Sequence, residues 1–329
     1  MNHTDHNGIT HMSLHPLAAR RLSDTTKTRP MMESITPRWF LDFLLWVPVQ
    51  AGIYRVNRIK RILDANEPVN DYGEKLIEAK HTPIDEDWIT ETYPDYEEQP
   101  DEYMLSVVQT ILRLNTNVAD IFNCPYNQKD EQVRLTIEAM RERQEWEMIN
   151  NPEYGLLHVA APDMRVSTRQ GTPTPDDLDE LLALVWKKPA FFLAHPKAIA
   201  AFGRECTKRG VPPVAVHIMG SPFITWRGVP IVPCDKLMVG CHMNPRRCGG
   251  RTNILLMRVG EAEQGVIGLH QPGIPDETDI PSLSMRLAGI DNRGIASYIL
   301  SLYFSVAVLA SDALGVLENV EVGSYHDYR

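Results

Sequence analysis

The 329-residue sequence lacks the short motifs that mark many nucleotide, metal and acyl-transfer sites. It contains no G-x-G-x-x-G, no G-x-x-x-x-G-K, no H-E-x-x-H and no G-x-S-x-G. Catalytic groups can also lie far apart in sequence, so the missing motifs lower the weight of an enzyme without excluding one. They favour a structural protein over an enzyme, with no catalytic residue, no cofactor and no metal assigned to the chain.

Long apolar runs and excess positive charge are also missing. No uncharged apolar segment reaches the roughly 18 to 20 residues of a membrane span, and residues 1–27 lack the apolar core of a signal peptide. We therefore expect a cytoplasmic protein without a membrane partner. The formal net charge is −10, and nucleic acid is not expected as a partner because phosphate binding needs a concentrated basic surface.

Cysteine is scarce, and the five residues present are odd in number, which favours reduced thiols over a disulfide framework. Cys234, Cys241 and Cys248 lie near His242, but six residues separate each pair of cysteines. Zinc sites favour closer pairs such as C-x2-C, so a polar surface loop is the preferred interpretation. His195, followed by Pro196, is interpreted as structural because no nucleophile is near it in sequence.

Lys and Arg are absent between Lys80 and Arg113, where acidic residues are frequent. Acidic runs are usually solvated loops, but disordered segments rarely carry many aromatic residues. We therefore predict that residues 51–103 form a long hairpin, here called the extended loop, that docks on a partner subunit. Alternation from Gly52 to Ile59 predicts one strand of it. The aromatic residues expected at the subunit interface are Trp88, Tyr93 and Tyr96.

Residues 1–50 combine an arm without hydrophobic periodicity (1–35) with an intensely apolar segment. Thr36 followed by Pro37 is typical of a helix start, and Pro48 stops the segment. Bulky aromatic side chains beside an arm suggest an anchor on another subunit, while an ordinary first core helix has equal weight. The anchor residues would be Trp39, Phe40, Phe43 and Trp46.

A helix is predicted from Gln128 to Asn150, where Asn151-Pro152 ends it. Its periodicity gives two apolar stripes, whereas a surface helix needs only one. One stripe would pack on the chain's own sheet and the other would meet a neighbouring subunit. The stripes are Val133, Ile137, Met140 and Met148, and Leu135, Ala139 and Trp146. Ion pairs at i,i+4 are expected between Arg134 and Glu138 and between Arg141 and Glu145.

From Thr172 onward, predicted helices and strands alternate. Thr174-Pro175 caps a helix whose end should carry Lys187 and Lys188, and Gly210 closes the next helix. The apolar residues 295–322 form a helix or a strand that returns to the first lobe. The resulting division is 1–50 for arm and anchor, 51–103 for the extended loop, 104–171 for a peripheral domain, 172–285 for an axial domain, and 286–329 for the return.

The order of these parts is similar to the α+β fold of tailed-phage major capsid proteins (HK97-type), with N-arm, extended loop, peripheral domain with a spine helix, and axial domain. The sequences of several short segments indicate a more specific family. From about Leu17 to Tyr328 the sequence resembles family 2A encapsulin shell proteins. The segments that carry the resemblance include WVPVQAGIYRVNR, INNPEYGLL, TPTPDDLD and IASYILSLY.

This resemblance implies a shell protein of an encapsulin nanocompartment, most simply an icosahedron of sixty subunits, and not an enzyme. The cargo would be a cysteine desulfurase that carries pyridoxal phosphate, binds through a disordered targeting segment, and links the compartment to sulfur metabolism and storage. A phage major capsid protein of the same fold is the alternative.

A pore loop is expected where the second axial helix ends, with positive charge that favours anionic or zwitterionic solutes. The loop Cys241–Arg251 is the alternative pore lining, and it looks longer than the family's usual connection. The first candidate contains Thr207, Lys208, Arg209, Gly210, Val211, Pro212 and Pro213.

Overall fold

The computed structural model describes residues 3–4, 10–11, 16–24, 36–50, 52–56, 100–115, 128–240, 250–272, 282–292 and 294–325. The chain divides into a main unit, residues 1–52 with 105–329, and a second unit, Ile53–Met104. Helices in the described residues are α1 (Pro16–Ser23), α2 (Trp39–Phe43), α3 (Gln128–Asn150), α4 (Leu156–Val159), α5 (Pro175–Leu184) and α6 (Pro196–Lys208). Short 3-10 turns span Pro162–Met164 and Ser311–Ala313, and a two-residue ladder joins β1 (His3–Thr4) to β2 (Thr10–His11).

The larger sheet of the main unit has seven strands. Its order is β7 (Arg165–Ser167), β16 (Leu314–Glu321), β12 (Arg251–Met257), β8 (Phe191–Ala194), β11 (Val229–Pro233), β10 (Ser221–Trp226) and β9 (Val214–Ile218). The pairs β7–β16 and β8–β11 are parallel, and the other neighbours are antiparallel.

The smaller sheet has five strands and is centred on a single long strand. This strand pairs antiparallel with three others, and the short strand after α2 adds a parallel edge. The members are β14 (Leu283–Ile290), the central β15 (Ile295–Val308), β13 (Val266–His270), β3 (Trp46–Pro48) and β6 (Ser106–Asn115).

The seven-stranded sheet is covered on both faces at its central strand β8, whose successive side chains point to opposite faces. In β8, Phe191 and Leu193 join a core that includes α3 and the five-stranded sheet. Phe192 and Ala194 join a second core beneath α5 and α6. A strand buried on both faces reads as a continuous apolar run, which is why this short segment looks uniformly hydrophobic.

The spine helix α3 has the predicted bounds, Gln128–Asn150. Met140 and Met148 are buried in the first core, and Val133 and Ile137 pack against it. The prediction that this stripe packs on the chain's own sheets is confirmed. Ala139, on the opposite stripe, is exposed, and its predicted contact with another subunit stays a prediction.

The two predicted i,i+4 ion pairs of α3 are wrong. Arg134 pairs with Glu131 instead of Glu138, and Glu145 is buried away from Arg141, with 1% of its surface exposed. Tertiary partners decide these contacts: Arg38, from the segment before α2, bonds Glu138 at 2.5 Å. A helical spacing cannot foresee a partner 100 residues away.

Helix α5 has the predicted cap. The Thr174 hydroxyl accepts from the Asp177 backbone N–H at 3.3 Å, and Thr174 N–H donates to the Asp177 carboxylate at 2.9 Å. The predicted end of this helix at Lys187 and Lys188 is wrong, since the helix stops at Leu184. Lys187 lies beyond it and bonds Asp312 at 2.7 Å instead of the last turn.

The two sheets draw strands from several parts of the five-part division, which stays a prediction. β13, placed by the sequence in the axial segment 172–285, pairs with β15 and β3 in the five-stranded sheet. β16, placed in the return 286–329, pairs with β12 and β7 in the seven-stranded sheet. The return is built of strands, so its helical alternative is wrong.

The second unit contains a two-stranded antiparallel ladder of β4 (Ile53–Val56) and β5 (Asp101–Met104). This ladder is the base of the predicted extended loop, and Arg55 bonds Glu102 across it at 2.8 Å. Residues 57–99, with Trp88, Tyr93 and Tyr96, lie outside the described residues. Their interface role therefore stays a prediction.

Candidate assembly surfaces

The predicted aromatic anchor packs against its own chain. Phe40 has no exposed surface. The Trp39 ring lies edge-on to Phe223 at 5.3 Å between centroids, and the Phe43 ring lies 5.4 Å from Phe191. Edge-to-face pairs of this kind stabilise by about 0.5–1.5 kcal/mol beyond their burial. The core-helix interpretation therefore describes this segment within the subunit, and an intersubunit role stays a prediction for the surface left uncovered.

Trp46, the fourth anchor residue, packs closely over the backbone of Gly268. Its indole N–H donates to the Leu41 carbonyl at 2.9 Å, and β3 pairs in parallel with β13 with Trp46 opposite Gly268. A Cβ at Gly268 would lie 2.7 Å from the indole ring. Sequence reasoning missed Gly268, because a glycine inside a strand only signals close backbone approach without naming the partner.

A carboxylate on the spine helix holds the chain that leads into the anchor. The Glu142 Oε1 atom accepts from Thr36 N–H at 3.1 Å, from the Thr36 hydroxyl at 2.5 Å and from Arg38 at 3.4 Å. Lys236 pairs with its other oxygen. Burial alone would raise the pKa of Glu142, but the bonds from Lys236 and Thr36 hold it below its ordinary value. We call Glu142 with Thr36, Arg38 and Lys236 the Glu142 clamp.

The predicted pore loop lies at the surface, after α6. Thr207 to Pro212 are exposed, and Gly210 has a φ of 69°, a conformation that suits glycine. Arg209 lies 3.4 Å from Asp176 and 3.6 Å from Glu205. Two carboxylates therefore offset its charge, and Lys208 carries more of the positive potential than the sequence indicated. Its pore role stays a prediction.

Of the alternative pore lining Cys241–Arg251, residues 241–249 lie outside the described residues, with Cys241, Cys248 and His242. The two cysteines that the structure describes, Cys206 and Cys234, are free and buried. Burial raises the pKa of the Cys206 thiol to about 11 and that of Cys234 further, so both stay protonated and poorly nucleophilic. His195 caps α6 by accepting from Lys197 N–H at 3.0 Å, which confirms its structural interpretation.

One exposed apolar surface was not predicted from the sequence. The side chains of strand β6 alternate, with Leu112 and Leu114 inward and Val107 and Ile111 outward. Ile111 is 60% exposed, and Ile299 stands opposite it on β15. We call Val107, Ile111 and Ile299 the outer sheet face. Period-two alternation of the burial could have been expected from the strand, but aliphatic residues on both faces concealed it.

No helix among the described residues is long and apolar enough to cross a membrane.

Comparisons with known proteins identify the family of this chain. Residues 62–324 match the family model of the type 2A encapsulin shell protein, SrpI-like. The chain is 52% identical to the type 2A encapsulin shell protein SrpI of Synechococcus elongatus over 97% of both chains. It is 49% identical to a type 2A encapsulin shell protein of Mycolicibacterium paratuberculosis over 96% of this chain and 97% of the relative.

Solved structures agree. The holo-SrpI encapsulin complex from Synechococcus elongatus matches 97% of this chain and 100% of its own, with 51% identity and a TM-score of 0.77. A chain of the Microbacterium phage Oxtober96 matches 93% of this chain and 99% of its own, with 10% identity and a TM-score of 0.57. The capsid of the empty GTA particle matches 94% of this chain and 100% of its own, with 11% identity and a TM-score of 0.58, which shows the shared HK97-like capsid fold. The predictions of a capsid-type fold and of a structural protein that is not an enzyme are confirmed: the chain belongs to the family of type 2A encapsulin shell proteins.

Proposed function

We propose that this shell protein closes into an icosahedral nanocompartment of sixty copies in the cytoplasm. The observation that carries the proposal is 52% identity over 97% of both chains to a type 2A encapsulin shell protein. Identity at this level over the whole chain supports conservation of the surfaces through which copies meet. The buried free thiols of Cys206 and Cys234 support a reducing compartment.

A closed symmetric shell requires each copy to present several different contacts. The outer sheet face is one candidate, because exposed aliphatic side chains such as the paired Ile111 and Ile299 are common at interaction sites. A second copy of this chain is the occupant we propose for it. The extended loop, with Trp88, Tyr93 and Tyr96, and the arm before the Glu142 clamp are the other candidates.

The cargo that we propose is a cysteine desulfurase, held through its own disordered targeting segment. Pyridoxal phosphate belongs to that enzyme, and the shell carries no cofactor of its own. Support comes from a relative 51% identical to this chain whose solved structure is of a holo encapsulin complex. Such a compartment would serve sulfur metabolism and storage.

Solutes would enter through a pore lined by Thr207–Pro213. Its exposure and the charge of Lys208 support this assignment, and the Cys241–Arg251 loop is the alternative. Replacing Lys208 by Glu should slow entry of an anionic probe into assembled shells, with Lys197→Glu, an exposed residue at the other end of α6, as the matched control. Equal entry rates in both variants would favour the alternative loop.

The proposal is tested by the size and content of the purified particles. Size-exclusion chromatography with light scattering should give megadalton particles, and negative-stain microscopy should show closed shells. Co-expression with a cysteine desulfurase should load them, and removal of its disordered segment should leave them empty. A stable monomer would refute the shell, whereas empty shells in both co-expressions would refute only the cargo.

A phage capsid protein is disfavoured because the phage chain is only 10% identical, which shows the fold alone. The genes beside the coding sequence separate the two functions. A cysteine desulfurase gene is expected for a nanocompartment, and portal and protease genes would indicate a phage.

A further inference from the structure

The spine helix α3 carries a carboxyl group inside the protein. Glu145 is 1% exposed. Its Oε1 atom accepts from the Cys234 thiol at 3.6 Å, and its Oε2 atom is buried without a hydrogen-bond partner. A thiol is a weak donor, and an ionised carboxylate that is buried with so little compensation is costly. The neutral carboxylic acid fits this environment better than the anion.

The cations near Glu145 are already engaged by other carboxylates. Lys236 lies 2.8 and 2.9 Å from the two oxygens of Asp235 and also pairs with Glu142. Arg38, on the segment before α2, bonds Glu138 and Glu142. Three carboxylates therefore share two cations, and none remains to stabilise a fourth negative charge.

Burial is the main reason that the pKa of Glu145 rises, to about 7, with the negative charges of Asp235 and Glu142 adding to it and Lys236 opposing it. Across the junction, burial also raises the pKa of the Cys234 thiol, which keeps its proton for donation. His195 faces Asp235, and burial lowers the pKa of its imidazole, which therefore adds little positive charge near neutral pH.

Glu145 sits where the spine helix meets the seven-stranded sheet. Cys234 follows β11, and its N–H donates to the Ala194 carbonyl of β8 at 2.9 Å. Five residues along α3 from Glu145, the Asn150 amide donates to the Lys236 carbonyl at 2.9 Å. A change in charge at Glu145 therefore acts on the connection between this helix and this sheet.

We propose that Glu145 is a proton-operated latch between the spine helix and the seven-stranded sheet. With the carboxyl protonated, the helix lies closed on Cys234. When the proton leaves to solvent, the buried anion drives the junction to open or to admit water. This device works within each subunit, so it does not depend on the cargo or on the number of copies.

A divalent cation fits the same residues less well. Glu145, Cys234 and Asp235 bring one ligand atom each within 4.8 Å of one another. Both Asp235 oxygens, however, face the Lys236 ammonium, and a metal ion would have to displace it. The geometry favours a proton.

The direction of the pH dependence follows from the raised pKa. In the unfolded chain Glu145 titrates near its ordinary value of 4.5, and in the folded chain near 7. Its contribution to stability is fully present below pH 4.5 and declines as the pH rises towards 7 and slightly beyond. The latch should therefore weaken across neutral pH, in the opposite direction to an ordinary ion pair.

The experiment compares purified particles of the wild type with Glu145→Gln, which copies the shape of the protonated acid. Glu147→Gln, on the same helix but half-buried and paired with Arg143, is the matched control. Thermal midpoints are measured from pH 5.5 to 8.5. The wild type and the control should lose a few degrees over this range, and Glu145→Gln should lose less than half as much. Equal slopes in all three proteins would overturn the latch.

Infrared spectroscopy reports the proton directly and does not require the variant to assemble. Wild-type particles should show a protonated-carboxyl stretching band above pH 6 that disappears with a midpoint near 7. Glu145→Gln should lack the band, and Cys234→Ser should shift its frequency because the donor changes. Absence of the band in the wild type, or its persistence in Glu145→Gln, would refute the proposal. Loss of the band on adding Zn²⁺ at pH 6.5 would indicate a metal site instead.

Discussion

Strands β8 and β6 are both rich in apolar side chains, yet their surroundings differ. Every residue of β8 is buried, since one face lies on the core with the spine helix and the other on the core beneath α5 and α6. Strand β6 has a covered face, with Leu112 and Leu114, and an exposed one, with Val107 and Ile111. Strand β8 therefore stabilises the subunit itself, whereas the outer face of β6 is left uncovered within the subunit.

Phe192→Ala in β8 should give the largest effect on the fold. The ring is fully buried in the core beneath α5 and α6, so its removal should lower the free energy of unfolding by about 3–5 kcal/mol. Val107→Ala in β6 is the control and should change it by about 0.5 kcal/mol or less. Chemical denaturation of both variants checks this, and equal losses would remove the distinction between the strands.

Ile111→Asp should separate folding from assembly. Its side chain points away from the core, so circular dichroism should stay close to that of the wild type while particle yield falls strongly. Asp at this position would leave a charge buried in the proposed contact between copies. Ile111→Val, which keeps an aliphatic side chain on this face, is the control and should form particles normally. Normal particles from Ile111→Asp would show that no copy covers this face.

Gly268→Ala tests the join between β3 and β13. The new methyl group would come 2.7 Å from the Trp46 ring, and overpacking of this kind typically destabilises by about 1–3 kcal/mol. Pairing it with Trp46→Leu should recover part of the loss, because a smaller side chain frees the space. A thermal midpoint unchanged by Gly268→Ala alone would mean that the indole moves without penalty.

Glu142→Gln should have the smallest of these effects, and its sign contrasts with that of Glu145 one turn along the helix. The pKa of Glu142 lies below its ordinary value of 4.5, so its contribution to stability is present above that pH and lost as the pH falls through the folded value. The variant should melt below the wild type at pH 7, and the gap should close towards pH 3. Glu180→Gln, in an exposed pair with Arg169, should show almost no gap at either pH.

Several local features could be predicted from the sequence because their causes are local. The end of α3 at Asn150 follows from Asn151-Pro152, the α5 cap follows from Thr174 with Asp177, and Gly210 suits the turn after α6. The family, and through it the capsid-type fold, could be predicted from long stretches of similar residues. These signals need no knowledge of distant partners.

Other features depend on partners that are distant along the chain. The sequence did not show that Phe223 and Phe191 of the same chain lie against the anchor aromatics, whose contact with another subunit stays a prediction. The pairing of β13 and β16 could not be predicted, since hydrophobic periodicity identifies a strand but not its neighbour. The outer sheet face was not predicted because aliphatic residues on both faces of β6 concealed the alternation.

The sequence by itself determined the end of α3, the cap of α5, the glycine turn after α6 and the family. Only the tertiary structure decided which side chains those elements bury and which carboxylates pair with a cation. It also decided why the pKa of Glu142 is lowered while that of Glu145, three residues along the helix, is raised. The physical reason is that propensities and turn chemistry act over a few residues. Desolvation and charge pairing depend on whatever the fold brings within a few ångströms.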